Sequence, residues 1–563
     1  MVIVGGGGAA ALAAVAARQT GATVAMITKE SSLVGGATIM AAGGTSASLT
    51  PGDNAHIFLA DILKAGGNLN NGRLASIVAE RATEALFDLE KFDFLLDRRS
   101  GDSLHTIKQG EGHAFPRGYL DRREALGMCH ALGKAVMRNE VAIFPEMVVS
   151  KVVVKDAQAA GVIALSLVTG ECFVFRAKAV ILAAGGLGAL YEVTTNSSVL
   201  TGDGYAMAWN CGAELIDMEM VQFLPLAFPY PRTRKGKIIG MCSHFGRGVK
   251  LFNRLGERYM AAYDPERMEF TTRDIGARAN FTEIKQGRGT EHQAIIVDTT
   301  DHDEDIWLRW KTSLPHHYAM FRQAFGEEAA EWKKPFEAIP SQHFFMGGVT
   351  IDEECRTTIP GLFAVGEIAG GVHGANRLSG TALAEVFVFG PVAGESAALF
   401  ANAQKLIPLD SIEIKREVDG LEATLSRRGE GARPFELKEA IQRLMWDKLG
   451  PVREGTGIEA AIEELVKIEK TVSEQMVIRS SSATYNRERM EAVELPLMVG
   501  TALLVARSAL TRQESRGSHY RTDFPSTNEG KWLKNIVLRK DGTGSTEISF
   551  REITQAGGND RFM

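Results

Sequence analysis

The first thirty residues combine short apolar runs with a glycine turn. Val2-Ile3-Val4 predicts a strand, and Gly5–Gly8 predicts a tight turn. The Ala- and Leu-rich run that follows predicts a helix, which should end near Gly21. The apolar run at 22–29 predicts a second strand. This order indicates one βαβ unit of an α/β fold.

The pattern changes several times along the rest of the chain. Residues 52–92 alternate helical stretches with Gly and Asn breaks, and a β-rich segment follows from about Val148 to Val180. After roughly Pro225 the apolar runs thin out and basic turns appear until about Pro335. This change predicts an inserted domain.

The later segments predict a return to the first domain and then a helical region. Residues 359–371 restore strand-turn-helix character, and amphipathic helices should follow one another from about Leu406 to Leu510. The tail predicts a hairpin around Lys540-Asp541-Gly542.

Composition excludes several classes of protein. A chain of 563 residues needs more than one hydrophobic core, and a net charge of -6 argues against nucleic acid as the main partner. The five cysteines are scattered without a Cys-x-x-Cys pair, so we expect no zinc site, no iron-sulfur site and no disulfide scaffold in this chain. We expect no leader and no membrane span, because the chain opens on a strand and has no run of about 18 apolar residues. These features favour a cytoplasmic protein.

The opening turn has the spacing of a dinucleotide-binding turn, Gly5-x-Gly7-x-x-Ala10, with Gly8 beside Gly7. Gly5 permits the sharp turn, Gly7 lets the backbone approach a pyrophosphate, and Ala10 lets the helix pack closely on the strand. The second strand ends in Thr28-Lys29-Glu30, which is not a clean carboxylate for a ribose diol. The end of that strand therefore weakens an NAD assignment.

Four further blocks, in order, resemble the succinate dehydrogenase/fumarate reductase flavoprotein family, which includes L-aspartate oxidase. They are GGATIMAAGGTSAS at 35–48, the run at 183–223, HFFMGGVTID at 343–352 continuing at 361–390, and ESRGSHYRTDFP at 514–525. The resemblance covers nearly the whole chain. It implies a Rossmann-like FAD-binding domain, an inserted α+β cap domain and a C-terminal helical domain. We place the FAD-binding domain at 1–228 and 336–403, the cap at 229–335, the helical domain at 404–530 and a tail at 531–563.

The resemblance also implies FAD as cofactor and a set of residues that contact it. This set is Gly5, Gly7, Gly8, Ala10, Thr28, Lys29, Thr38, Ala42, Gly43, Gly44, Ala184, Gly185, Thr195, Asn196, Asp203, Glu367, Asn376, Arg377, Ser379, Thr381 and Leu383. Membrane members of the family tether FAD through the His of a Ser-His-Thr motif. Gly36-Ala37 stands before Thr38 where that motif would have Ser-His. Alanine has no nucleophilic nitrogen, so we predict that FAD is bound noncovalently.

The resemblance implies an Arg proton donor and two carboxylate ligands for the reduction of an activated C=C bond, or its reverse. Arg273, in Thr271-Thr272-Arg273-Asp274, matches the proton donor. Without the resemblance, Arg273 would be read as a surface residue paired to Asp274. His343 and Arg377 match the ligands of a substrate carboxylate, which an Arg can grip through two parallel hydrogen bonds.

The family's second carboxylate clamp is altered in this chain. The Gln-Phe-His-Pro-Thr motif is replaced by Gln222-Phe223-Leu224-Pro225-Leu226, and a Thr-Glu motif aligns with Met241-Cys242. An apolar pocket end would leave a second carboxylate unpaired at a cost of several kcal/mol. We therefore expect a monocarboxylate enoate, or an acid with an apolar far end, in place of fumarate.

Two residues of a nearby loop, His113 and Arg117, are candidates to replace the lost clamp, the alternative being a pair within a surface loop. Three further functions stay open: an L-aspartate oxidase, the more distant adenylylsulfate reductase, and a non-catalytic electron-transfer scaffold. Because this chain has no Cys cluster, the resemblance implies an iron-sulfur partner subunit for the reductase.

Overall fold

A computed structural model describes residues 1–31, 35–41, 44–98, 112–239, 248–302 and 304–556. It contains sixteen α-helices and eighteen strands within those residues. The helices are α1 Gly8–Gln19, α2 Gly36–Met40, α3 Ala55–Ala65, α4 Gly72–Asp88, α5 Glu124–Arg138, α6 Asp203–Asn210, α7 Arg273–Glu283, α8 Glu304–Ser313, α9 Pro315–Phe325, α10 Glu327–Ala330, α11 Thr381–Ala403, α12 Ser411–Leu425, α13 Pro434–Lys448, α14 Gly455–Glu474, α15 Arg487–Thr511 and α16 Glu529–Trp532.

The strands are β1 Val2–Val4, β2 Ala25–Ile27, β3 Thr45–Ser46, β4 Gly118–Tyr119, β5 Ala142–Phe144, β6 Met147–Lys155, β7 Gln158–Ser166, β8 Cys172–Arg176, β9 Val180–Leu182, β10 Leu215–Ile216, β11 Val221–Ala227, β12 Lys250–Phe252, β13 Ile295–Asp298, β14 Phe336–Phe345, β15 Gly348–Val349, β16 Leu362–Ala364, β17 Lys534–Lys540 and β18 Thr546–Glu552.

A five-stranded parallel sheet of order β16-β9-β1-β2-β5 forms the centre of the first domain. Its three inner strands are short and apolar, as expected for strands that are covered on both faces. The predicted βαβ unit is β1-α1-β2, in which β1 pairs with β2 from Val2 opposite Ala25 to Val4 opposite Ile27. A separate antiparallel sheet of order β6-β7-β8 is the predicted β-rich segment.

Small residues let two long helices approach each other beside this sheet. The Ala-rich α1 packs against α11, where a Cβ on Gly394 would lie 2.1 Å from the Ala13 carbonyl oxygen. Such a distance is far inside van der Waals contact, so only glycine permits this spacing. The helices α1 and α11 thus meet across a layer of alanine and glycine.

The cap is built around a second, antiparallel sheet of order β11-β14-β13-β12, with α7 to α10 packed on it. Its own core contains Trp310, Phe321 and Phe336. Strands β11 and β14 lie just outside the predicted cap range of 229–335, yet both belong to this sheet. The boundaries at 228 and 335 therefore fall inside one sheet, whose strands continue from the FAD-binding domain into the cap.

The C-terminal region is helical, as its periodicity predicts. On α14 the buried residues Ile458, Ala461, Leu465, Ile468 and Val472 recur every three or four positions and face α15. The tail forms the hairpin β17-β18 with its turn at Asp541–Ser545, and β17 joins β10 and β15 in one sheet. The hairpin prediction is confirmed.

Among the residues that the structure describes, two helices, α11 and α15, are long and apolar enough to cross a membrane. Over their most apolar windows they are 61% and 78% buried inside the protein, respectively. This degree of burial is typical of core helices, so their composition is weak evidence for membrane crossing.

Candidate active site

A deep cleft lies at the carboxyl ends of β1, β9 and β16. The residues that follow these strands, Gly5–Gly8, Ala183–Gly185 and Val365, line it together with the first turn of α11. In open α/β sheets, ligands bind outside the carboxyl ends of the strands. The fold therefore places the sequence motifs around one ligand site.

The glycine turn after β1 presents backbone to the cleft. Gly5 has φ +138°, and a Cβ there would lie 2.1 Å from the Ala183 carbonyl oxygen. Gly7 is the N-cap residue of α1, and no side chain at this position accepts a hydrogen bond from the first amides of the helix. The Gly8 amide donates to Thr38 Oγ1 at 2.9 Å. The N-terminus of α1 thus offers amide donors and a positive dipole end to an anionic group.

Lys29 forms a buried ion network at the far end of the cleft. Its Nζ lies 3.0 Å from an Asp203 carboxylate oxygen and 2.6 Å from Glu494 Oε1, and it donates to Thr201 Oγ1 at 3.0 Å. Burial lowers the pKa of Lys29, but the two carboxylates outweigh it and the net shift is upward. Because Glu494 lies on α15, this network ties the helical domain to the cofactor cleft.

Glu367 follows β16 and is enclosed by the cleft wall. Its Oε1 accepts from the Phe345 amide at 3.1 Å, and a Cβ on Gly186 would lie 2.1 Å from that oxygen. Burial raises the pKa of Glu367 to about 8. A carboxyl group that stays protonated at neutral pH can donate a hydrogen bond to a sugar-like hydroxyl.

The turn that leads into α11 is held from two sides. The Ser379 carbonyl accepts from Ser46 Oγ at 2.8 Å and lies 2.9 Å from His113 Nε2. His113 Nδ1 lies 3.1 Å from an Arg117 guanidinium nitrogen, which can only donate. His113 therefore carries its proton on Nε2, and burial lowers its pKa to about 4.

Three predicted catalytic residues from two domains line the same part of the cleft: Arg273, His343 and Arg377. His343 is on β14, and its Nδ1 lies 2.8 Å from Thr195 Oγ1. Burial, and then the charges of Arg377 and Arg273, lower the pKa of His343 well below its usual range. His343 is thus a neutral hydrogen-bonding group between two guanidinium cations.

Arg377 is held in place from behind. Its guanidinium lies over the Phe344 ring, 4.8 Å from the centroid, and donates to the Leu378 carbonyl at 2.8 Å. Its own carbonyl accepts from Gln222 Nε2 at 2.8 Å.

Arg273 begins α7 in the cap, and its neighbour Asp274 is directed to the FAD-binding domain. Asp274 Oδ1 accepts from Asn376 Nδ2 at 3.0 Å, while Asn376 Oδ1 accepts from Gln222 at 2.6 Å and Ser518 at 3.2 Å. Since Arg273 lines the cleft, it is not the exposed surface residue of the alternative interpretation. The contact between Asp274 and Asn376 joins the two chain segments that carry Arg273 and Arg377.

Most of the predicted site residues meet in this cleft. Those that line it are Gly5, Gly7, Gly8, Thr28, Lys29, Thr38, Gly44, His113, Ala184, Gly185, Thr195, Asn196, Asp203, Arg273, His343, Glu367, Arg377, Ser379 and Leu383. Ala42, Gly43, Met241 and Cys242 lie outside the described residues. Thr381 and Ala10 are buried in α11 and α1 and do not line the cleft, and Asn376 lies behind its wall in the Asp274 contact.

Two predicted substrate residues are corrected. The Arg117 guanidinium makes two 2.7 Å bonds to Asp53 and one of 2.6 Å to Asp61, and its side chain is fully buried away from the cleft. Because its donors are directed to these carboxylates, Arg117 is a structural residue. Leu224 is also fully buried, paired with Ser341 across β11 and β14, and does not line the cleft.

The sequence reasoning missed three contributors. Ile238 and Leu314 of the cap line the cleft, and Glu494 of α15 completes the Lys29 network. They lie in no recognisable motif and come from segments far from the glycine turn. Helical periodicity did place Glu494 in an amphipathic region, but nothing in the sequence pairs it with Lys29.

Comparison with known proteins agrees with this geometry. The family described as FAD binding domain matches residues 1–383, and that described as Fumarate reductase flavoprotein C-term matches residues 438–557. One chain of the fumarate reductase (CoM/CoB) of Methanothermobacter marburgensis is 38% identical over 523 residues, 92% of this chain and 93% of that protein. The chain belongs to the fumarate reductase/succinate dehydrogenase flavoprotein family.

Two further relatives of this flavoprotein support the same family. The L-aspartate oxidase of a Synechocystis species is 30% identical over 543 residues and 92% of both chains. A solved E. coli quinol fumarate reductase chain superposes with a TM-score of 0.87 at 27% identity, over 98% of this chain and 96% of the other. The predicted family, fold class and FAD cofactor are confirmed, and the chain is an FAD-dependent oxidoreductase.

The residues of this flavoprotein fit FAD. The α1 N-terminus and the glycine turn match a pyrophosphate, Glu367 matches a hydroxylated chain, and the turn at Ser379–Leu383 closes the end near His343. On α2, Gly36 and Ala37 also line the cleft, and neither side chain has a nitrogen that forms a covalent bond to flavin. Of the two histidines among the described residues that line the cleft, His113 has both ring nitrogens within hydrogen-bond distance of protein groups, and His343 has its Nδ1 beside Thr195 Oγ1.

Proposed function

We propose that this flavoprotein reduces the C=C bond of an α,β-unsaturated carboxylate, or catalyses the reverse reaction, and exchanges electrons with an iron-sulfur partner protein. The observation that carries the proposal is that Arg273 of the cap lines the same cleft as His343 and Arg377. FAD supplies the hydride chemistry when it is bound. The protein's residues bind and orient the acid, exclude water and move one proton.

Arg377 and His343 are proposed to hold the substrate carboxylate. The Arg377 guanidinium is a fixed cation, because the Phe344 ring and the Leu378 carbonyl restrain it. When the Thr195 hydroxyl donates to His343 Nδ1, the His343 Nε2 carries the proton and donates toward the acid. A cation and a neutral donor together stabilise the charge that develops on the carboxylate during reduction of the double bond.

Arg273 is proposed to donate the proton to the second carbon. It enters the cleft from α7, on the cap side, whereas Arg377 and His343 belong to segments of the FAD-binding domain and β14. Proton transfer by a positioned group typically contributes a factor of about 10²–10⁴ to the rate. In this proposal the cap supplies the acid, and the FAD-binding domain and β14 supply the groups that hold the carboxylate.

We propose a monocarboxylate enoate, such as a crotonate-like acid or an acid with an apolar far end, as the substrate. The apolar side chains Ile238 and Leu314 of the cap line the cleft, and position 224, where the family motif has a His, is a leucine, which cannot bind a carboxylate. The name of the Methanothermobacter relative favours fumarate as an alternative. A direct comparison of fumarate with crotonate decides between the two.

An L-aspartate oxidase is the second candidate, since a relative at 30% identity carries that name. That activity would transfer electrons to oxygen without an iron-sulfur partner. The partner, a cytoplasmic location and any membrane association through a further protein are proposals that follow from the resemblance to multi-component reductases.

One assay tests these functions. The purified holoprotein is reduced anaerobically with dithionite and methyl viologen, and flavin reoxidation is followed with fumarate, crotonate, cinnamate and oxygen. We expect crotonate or cinnamate to reoxidise the flavin fastest. Reduction of the oxidised flavin by L-aspartate followed by rapid oxygen turnover would favour the oxidase. No response to any acid would favour the non-catalytic scaffold.

The proton-donor role is tested by Arg273→Gln. We expect turnover to be lost while the spectrum of bound flavin is unchanged, because the glutamine keeps a polar side chain but has no proton to give at the required position. Full activity of this variant would contradict the assignment.

A further inference from the structure

One buried carboxylate of the FAD-binding domain bonds to the cap next to a residue that lines the cleft, Leu314. Glu124 begins α5 with φ +58°, a left-handed conformation that is unusual for a residue with a side chain. Its Oε1 accepts from the His316 amide at 2.9 Å, and its Oε2 lies 2.7 Å from His317 Nδ1. Both side chains of the Glu124–His317 pair are 7% exposed.

The two bonded residues are the second and third of α9. A carboxylate is favoured at a helix N-terminus, where backbone amides have no partner within the helix. Glu124 therefore caps a helix of a different domain, which makes the contact specific for one cap position. The unusual backbone of Glu124 indicates that the surrounding structure stabilises this arrangement.

Leu314 immediately precedes α9 and lines the cleft that also contains Arg273 and His343. It is 5% exposed and belongs to the cap core with Trp310 and Tyr318. Because only Pro315 separates Leu314 from the bonded His316, the Glu124 contact fixes where the Leu314 side chain enters the cleft. Ile238 provides a second apolar side chain there.

We propose that Leu314 is a specificity-determining residue, and that Glu124 is a positioning residue that holds Leu314 against the far end of the substrate. This inference rests on the proposed function, since it assumes an enoate in the cleft. A leucine side chain cannot hydrogen-bond a second carboxylate, so a dicarboxylate would lose water at this wall without gaining a partner. A methyl or aryl group would gain apolar contact.

The first experiment measures binding without turnover. Fumarate and crotonate are titrated into the oxidised holoprotein under anaerobic conditions, and the perturbation of the flavin absorption gives each Kd. We expect the ratio of the fumarate Kd to the crotonate Kd to exceed one. In Leu314→His, a hydrogen-bonding group replaces the apolar wall, and we expect this ratio to fall about tenfold, the effect of one hydrogen bond to a charged group. An unchanged ratio in Leu314→His overturns the role of Leu314.

The second experiment tests the position of α9. Glu124→Ala removes both bonds, whereas Glu124→Gln keeps a carbonyl acceptor, and Glu328→Ala removes an exposed glutamate of α10 as a control. We expect Glu124→Ala to bring the Kd ratio close to one, with Glu124→Gln in between and the control unchanged. In a Leu314→Ala background, Glu124→Ala should change the ratio no further, because Glu124 acts through Leu314.

Other outcomes overturn the positioning role. A native flavin spectrum with an unchanged Kd ratio in Glu124→Ala contradicts it, as does an equal loss of affinity for both acids. If Glu124→Ala does not fold, His317→Phe is used in its place, because it removes only the bond between Glu124 and the His317 ring. The ratio of the two Kd values is measured and interpreted as for Glu124→Ala.

Failure of the proposed function gives a different result. In that case reduced flavin is not reoxidised by any acid, while the binding ratios above still respond to Leu314 and Glu124. If neither acid perturbs the flavin absorption of the wild-type protein, the assignment of an acid-binding cleft at Leu314 is itself refuted.

Discussion

The hydrogen bond between Asp274 and Asn376 predicts a kinetic effect that differs from a loss of substrate binding. Each of these residues directly adjoins an arginine of the site, Arg273 in the cap and Arg377 in the FAD-binding domain. The bond is 3.0 Å long and its acceptor is a carboxylate. Asp274→Ala removes the acceptor and releases the first turn of α7, whereas Arg377 and His343 keep their own partners.

The size of the effect follows from the charge on Asp274. A hydrogen bond to a charged group contributes about 1.5–3 kcal/mol. If this free energy stabilises only the transition state in which Arg273 donates its proton, its loss lowers kcat by roughly tenfold to 150-fold. KM for the enoate should stay within about twofold of the wild-type value, because the residues that bind the substrate carboxylate, Arg377 and His343, are unchanged. Asp274→Asn keeps a carbonyl oxygen that can accept from Asn376, so it should retain much of the activity.

The assay is anaerobic oxidation of reduced methyl viologen with increasing concentrations of the preferred enoate. Asp447→Ala is a matched control, because Asp447 of the helical domain likewise pairs with a cap residue, Lys285, but is half exposed. Its pair should contribute less than about 1 kcal/mol. Equal kcat values for Asp274→Ala and wild type, or a rise in KM alone, would refute the view that Asp274 positions Arg273.

Three further predictions concern the cofactor and stability. Glu494→Gln removes one of the two carboxylates that pair with Lys29, so it should lower the free energy of unfolding by about 2 kcal/mol and weaken FAD binding. The control Glu464→Gln, at an exposed pair with Lys467, should lower the free energy of unfolding in urea by less than about 1 kcal/mol. Acid precipitation should leave a colourless pellet and yellow supernatant, because FAD is held noncovalently; a yellow pellet would contradict this. Burial raises the pKa of Glu367 to about 8, above its unfolded value of 4.5, so the folded FAD-free protein keeps a proton that the unfolded chain loses. The free energy of unfolding should therefore fall as pH rises from about 5 to 8, by up to about 1.4 kcal/mol per pH unit. Glu367→Gln should reduce this slope.

The sequence predicted the cleft well where backbone geometry and local order determine structure. The glycine turn, the βαβ unit, the amphipathic α14 and the tail hairpin depend on periodicity and on residues close in sequence, and each was placed correctly. Family motifs then located Arg273, His343 and Arg377, which no local pattern could bring together.

The errors arose where the orientation of a side chain depends on distant partners. Leu224 follows a register shift between Gln222 and Phe223 in the pairing of β11 with β14, and one such shift moves a side chain to the other face. Arg117 was a plausible anion ligand in sequence, but its position is determined by Asp53 and Asp61, more than fifty residues away. Neither the register shift nor these ion pairs can be deduced from spacing.

The active cleft is completed by contacts among all three regions of the chain. Asp274 of the cap and Ser518 of the C-terminal region both bond to Asn376 of the FAD-binding domain, and Glu494 of α15 bonds to Lys29 beside the cofactor turn. Such contacts bury polar groups that would be costly if left without partners, so each region stabilises the others in one arrangement. A change in the helical region can therefore alter FAD affinity without touching FAD, and a change in the cap can alter the proton donor without touching substrate. The effects of Glu494 and Asp274 variants should accordingly separate, the first in cofactor retention and the second in kcat.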